Sequence, residues 1–178
     1  MPRDHVQQVL DQWRREAPEL DRSSFAVIGR IARVAQLLET KLEPVFVSHG
    51  LTAGEFDVLA ALRRGGRPYR LTPTELSKAL IVTSGGMTKR LKLLEARGFV
   101  RREPEPHDGR STAVSLTGEG KRLVERTLAE HVSNEERLLS QMGAKERAEL
   151  ARLLETLAIS LGDNAENRPR KGLRRADG

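Results

Sequence analysis

Residues 71–116 read LTPTELSKALIVTSGGMTKRLKLLEARGFVRREPEPHDGRSTAVSL, and this stretch decides the fold. Its opening, Thr72-Pro73-Thr74-Glu75, has the composition of a helix start. A threonine hydroxyl can accept from the free amides of a first turn. Proline fits the first helical position, and a glutamate three residues on can reach back to the cap. Leu76, Ala79 and Leu80 give this short helix an apolar side. Thr83-Ser84-Gly85-Gly86 then breaks the chain and restarts it under a hydroxyl cap. That spacing predicts a second helix from about Ser84 to about Arg97, joined to the first by a tight turn.

At roughly 100° per residue, Met87, Leu91 and Leu94 fall together on the second helix, with Leu93 on one flank. The opposite side carries Gly85, Lys89, Lys92 and Ala96, with Thr88 nearby. Small residues at a helix start allow close approach to a DNA groove. Thr88, Lys89 and Lys92 can then reach base edges and phosphates. Arg90 is the exception, because it falls between Leu93 and Leu94 on the inner side. A charge there needs a partner or a role.

Phe99-Val100-Arg101-Arg102-Glu103 reads as a strand, and Ser111-Thr112-Ala113-Val114-Ser115-Leu116 as its partner. Between them, Pro104-Glu105-Pro106-His107-Asp108-Gly109-Arg110 is rich in turn formers. Arg110 near the tip suits a minor groove, and Asp108 suits bracing of that arginine or of the loop backbone. An ordinary solvated hairpin is the alternative. The expected fold is mainly α: a winged helix-turn-helix with a helical dimerisation region and a two-stranded β wing. The candidate DNA contacts are Thr72, Thr74, Thr83, Ser84, Gly85, Thr88, Lys89, Lys92, Asp108 and Arg110.

The order of cap and helix, TSGGMTKRLKLLEARGFVRRE, and HDGRSTAVSLTGEG resembles the MarR family of winged-helix transcription regulators. Asp108-Gly109-Arg110-Ser111 followed by Leu116-Thr117 is its most specific part, and the likeness spans roughly Phe25 to Leu161. Many members carry a second arginine at the wing tip, where this chain has Gly109. The resemblance implies a DNA-binding homodimer and no enzymatic activity.

Composition agrees with a polyanion partner. The 178 residues carry a net charge of +6, and the pI is near 10.1. Aromatic residues make up only 3 %, which argues against a base-stacking single-strand binder. There is no cysteine, and His5, His49, His107 and His131 lie far apart without ligand spacing, so no metal or cofactor is expected. No nucleophile–base pair or phosphate-binding glycine loop is present either. No signal peptide and no apolar run long enough for a bilayer is seen, so the expectation is a soluble cytoplasmic protein without a membrane partner.

The remaining chain reads as helical scaffold. Asp4 to Glu16 predicts a short helix with Val6, Val9, Leu10 and Trp13 on one side, ended by Pro18. Asp21 to about Val47 is a long amphipathic helix that Pro44 could kink or shorten. Thr52-Ala53-Gly54-Glu55 opens a helix to about Arg64, stopped by Gly65-Gly66. There Phe56, Leu59 and Leu62 form the core side, while Asp57 and Arg64 share another face two turns apart. Thr117 caps a helix to about Gln141, and Ala144 to Leu161 forms a last one with a leucine stripe. These terminal helices hold more apolar surface than one winged helix can cover, which predicts a homodimer; packing within one chain is the alternative. The expected organisation is an added helix (1–20), a dimerisation region (21–50 and 117–162), a DNA-binding region (51–116) and a disordered basic tail (163–178).

Trp13, Asp57, Arg64 and Arg90, with EFDVLAALRRGG and MTKRLKLLE, resemble the urate-responsive branch of the same family. In that branch matching residues form a pocket for a purine-derived anion. The resemblance thus implies a repressor on a palindromic promoter site, released by a small aromatic anion such as urate. The competing expectations are a structural Arg90–Asp57 ion pair with Trp13 as core, and an architectural DNA-binding protein with no effector.

Overall fold

Asp4, Thr72 and Thr117 each start a helix with a side-chain oxygen, and these caps set the element boundaries. The computed structural model describes residues 3–80, 86–105 and 108–163, with backbone alone at 105 and 108–111. The chain divides into two compact units, 1–53 and 54–178.

The first unit holds α1 (His5–Glu16) and most of α2 (Ser23–Ser48). The Asp4 carboxylate accepts from the Gln7 amide at 2.6 Å, satisfying an orphan donor of the first turn. The same carboxylate accepts from Arg30 Nε at 2.8 Å, which ties the start of α1 to α2. Val6 and Leu10 are buried, but Trp13 is 46 % exposed, so it is no core anchor. Pro44 does not shorten α2, which continues through it to Ser48. Only Phe46 of this helix is buried; Phe25, Ile28, Val34 and Leu37 stay exposed.

The second unit begins within α3 (Ala53–Arg64) and continues through β1 (Arg70–Leu71), α4 (Pro73–Ala79), α5 (Met87–Ala96), β2 (Val100–Glu105), β3 (Asp108–Leu116), α6 (Gly118–Leu138) and α7 (Ala144–Ser160). Val58, Leu59 and Leu62 of α3, Leu76 of α4, Leu94 of α5, Val100 and Val114 of the sheet and Val124 of α6 are all but fully buried and make the core. α7 has no buried residue, and its Leu150, Leu153 and Leu154 are exposed.

The two-stranded wing is present as β2 and β3, and four details differ from expectation. The sheet has three strands, in the order β1-β3-β2, because Arg70 and Leu71 pair antiparallel with Ser115 and Val114. The hairpin is also longer than expected: β2 runs through Pro104, which pairs with Thr112, and β3 already begins at Asp108. Arg110 therefore lies on a strand and not in a wide loop. Finally, α5 begins at Met87 and not near Ser84, since Gly86 takes a φ of +88°, a left-handed backbone that only glycine adopts freely. Thr83, Ser84 and Gly85 lie outside the described residues. α6 ends at Leu138, slightly before the expected Gln141.

Candidate DNA-reading face and effector site

The helix-turn-helix is built from α4 and α5. Thr72 accepts from the Glu75 amide at 3.2 Å, and the Glu75 carboxylate accepts from the Thr72 amide at 2.7 Å. That reciprocal bond, with the Thr72 hydroxyl also donating to it, holds the Glu75 carboxyl below its ordinary range. The Thr72 hydroxyl is thus engaged in the cap, whereas Thr74 is exposed on the first turn. On α5, Leu91 and Leu94 are buried, while Thr88, Lys89 and Lys92 are exposed. Leu93, expected at the edge of the core, is 45 % exposed. Neither lysine takes part in an ion pair among the described residues.

The wing is fastened to this helix by charges. Arg102 of β2 meets Glu95 of α5 at 3.1 Å, and Arg101 meets Glu103 at 2.7 Å. Arg70 donates to the Pro104 carbonyl at 2.8 Å. These arginines are engaged along the hairpin, from Arg101 near its root to the Pro104 carbonyl near its tip. Asp108 and Arg110 stand on β3, where the backbone alone is described.

A second set of polar groups lies where α5 meets α3. Asp57 is half-buried, and burial pushes its carboxyl above the usual aspartate range, although the Arg90, Arg64 and His131 charges pull it down. So three residues from three helices surround one carboxyl. Arg90 is also half-buried, and its Nη1 is buried without a hydrogen-bond partner among the described residues. Arg64 donates to the Ala79 carbonyl, the last residue of α4. At the far end of α5, Arg97 reaches the buried Glu55 of α3 at 3.5 Å. α3 therefore carries, within one unit, side chains that touch both helices of the helix-turn-helix. Trp13 belongs to the other unit.

A guanidinium with an unused donor beside a half-desolvated carboxyl can hold a planar molecule that offers an acceptor to one and an N–H to the other. Because the Asp57 pKa is raised on folding, its ionised form costs stability above that pKa and not below the unfolded value near 3.8. Asp57→Asn should therefore melt about 2 °C higher than the natural chain at pH 7. The gain should vanish as the pH falls toward about 4. Equal melting temperatures across that range would refute the burial of this charge.

The family model of the MarR family matches residues 49–111. The transcriptional regulator PecS of Dickeya dadantii is 40 % identical over 159 residues, covering 89 % of this chain and 96 % of PecS. The chain belongs to the MarR family. Among solved MarR family structures, Sco3205 of Streptomyces coelicolor in complex with DNA aligns with a TM-score of 0.71 at 27 % identity, over 83 % of this chain and 92 % of that one. A mutant MarR of E. coli complexed with operator DNA aligns with a TM-score of 0.65 at 29 % identity, over 76 % of this chain and 96 % of that one.

As a MarR family member the protein is a transcription regulator that binds DNA, not an enzyme. No single described helix is long and apolar enough to cross a membrane. Several groups at this candidate site were not singled out from the sequence. His131 comes to Asp57 from α6 and packs on Phe56 with ring centroids 5.2 Å apart. Glu55–Arg97 and Glu95–Arg102 fix α5 to its neighbours. Each is a long-range pairing or a side chain whose partner is set by the fold, and no local spacing announces it.

Proposed function

We propose that this MarR family regulator is a homodimeric repressor that a small planar aromatic anion, of which urate is an example, releases from DNA. The single observation that carries the effector site is the buried, unpartnered Nη1 of Arg90 beside Asp57. A buried donor without an acceptor costs about 1–3 kcal/mol, more when charged, and a ligand acceptor removes that cost. Asp57 accepts the ligand's N–H bonds, and Arg64 adds positive charge. PecS, a transcriptional regulator at 40 % identity, supports a regulator of this family.

Two features support the dimer. α7 buries none of its residues within the chain, and α2 buries only Phe46. The exposed leucines, valines and isoleucines of these helices, and Leu128 and Val132 of α6, are apolar surface that a second copy covers. Two-fold symmetry then places two α5 helices in successive major grooves about 34 Å apart, on a roughly palindromic site. Thr88, Lys89 and Lys92 face the groove, with Thr74 at its edge and Arg110 of the wing in the minor groove; Thr83, Ser84 and Gly85 remain candidate contacts from the sequence alone. Thr72 and Asp108 hold the backbone that presents them. A dimer seated across a promoter excludes polymerase.

The release follows from covalent geometry. Arg90 is part of α5, so a ligand that draws its guanidinium moves the helix that reads DNA. A ligand that prefers the moved state lowers DNA affinity by linkage. The test is a gel shift on the DNA upstream of the chain's own coding region, with urate and salicylate titrated. Urate should release the natural chain at lower concentration than salicylate, and should no longer lower the affinity of Asp57→Ala or Arg90→Ala. Normal release of both variants by urate would overturn the site. The free protein should sediment as a dimer; a monomer would overturn the two-fold arrangement.

A further inference from the structure

Arg90 lies over Gly54 in the first turn of α3, in the space that a side chain at position 54 would need. An ideal Cβ there would stand 2.6 Å from Arg90 Nη2 and closer still to Cζ and Nε. No residue other than glycine leaves this space empty. Nor does a hydrogen bond hold the guanidinium there: among the described residues Nη1 has no partner, and Arg90 appears in none of the side-chain bonds. Its position is set by shape and by the charge of Asp57. The intruding atoms belong to the end of a flexible side chain and not to backbone. A larger residue at 54 therefore evicts the guanidinium and leaves α3 itself in place.

We propose that Gly54 is a positioning residue for DNA binding: it provides the seat that keeps Arg90, and through it α5, in the DNA-reading position. The proposal rests on the reading of α5 as the recognition helix and of Arg90 as the group on which an effector pulls. Evicting Arg90 by substitution reproduces that pull with no ligand present. Gly54 acts only through Arg90, so a methyl group at 54 matters when the guanidinium is there and not when it has been removed.

The experiment is a double-mutant cycle of Gly54→Ala and Arg90→Ala, read as affinity for a duplex selected from random sequence by the natural chain, without effector. Gly54→Ala should weaken binding about tenfold or more when Arg90 is present, the size of an ordinary allosteric coupling. In the Arg90→Ala background the same substitution should change affinity by less than about threefold. A merely structural role for Gly54 would show the same loss in both backgrounds, and that result overturns the proposal. So does an unchanged affinity when Arg90 is present. If Gly54→Ala does not fold, recovery of a cooperative melt in the double variant supports the seat, and an unfolded double variant overturns it. Urate release of the natural chain is measured alongside. Its absence with the cycle intact would remove the effector and keep Gly54, and its presence with an additive cycle would do the reverse.

Discussion

Replacing Gly120 by alanine should lower the melting temperature by about 10 °C, the largest stability loss expected from adding a single methyl group to this chain. Gly120 sits in the first turn of α6, where that helix lies directly against the backbone that leads into β2. A Cβ there would overlap the Phe99 carbonyl oxygen and stand 2.8 Å from the Phe99 carbonyl carbon. This obstacle cannot swing aside. Phe99 O accepts from the Thr117 amide at 3.1 Å, and the Thr117 hydroxyl donates to Gly98 O at 2.7 Å while accepting from the Gly120 amide at 3.0 Å. To make room, α6 must retreat from the strand and lose its cap. Overpacking costs about 1–3 kcal/mol or more, and a lost cap adds about 1 kcal/mol. Gly118→Ala is the control, since the nearest atom to its added Cβ is Arg122 Nη1 at 3.6 Å, an ordinary contact. Melting of Gly120→Ala within about 2 °C of the natural chain would show that the helix moves freely, against this geometry.

Removing both exposed lysines of α5, Lys89→Ala with Lys92→Ala, should weaken operator binding by about a hundredfold at physiological salt and flatten its salt dependence. Each lost phosphate contact takes about 0.9 from the slope of log affinity against log salt, so the two remove about 1.8 per protomer. The fold should be untouched, because both side chains are exposed on the face away from Leu91 and Leu94 and surface changes of this kind cost at most about 0.5 kcal/mol. Affinity measured from low to high salt decides it. A weakened variant with an unchanged slope would mean that these lysines act on bases or on the fold and not on phosphates.

What the sequence shows of this molecule follows the range of the interactions. The caps at Thr72 and Thr117 were legible because a cap is written within four residues. The apolar stripes of α3 and α5 predicted Leu59, Leu62, Leu91 and Leu94 as core, and all four are buried. The hairpin was underestimated at Pro104, which reads as a strand breaker. It is tolerated because β2 is an edge strand of the sheet. β1 has two residues, too few to show any period, and it exists only through pairing with β3. The same division holds at the candidate site. A helical wheel sets Asp57 off the core face and Arg90 on the inner flank, and the structure sets their charges against one another. His131, the seat at Gly54 and the Glu55–Arg97 pair join residues remote in sequence, and only the fold brings them together.

β1 has a mechanical consequence. Leu71 ends a strand bonded to β3, and the next residue, Thr72, caps α4. The root of the hairpin and the first helix of the helix-turn-helix are therefore joined by one peptide bond and one ladder, while Glu95–Arg102 bolts the hairpin to α5. Strand, helices and hairpin travel as one rigid tool. In the proposed dimer, whatever moves this tool changes where it is aimed and leaves its cutting edge intact, so control there falls on the distance spanned between two half-sites and not on which base letters each half prefers.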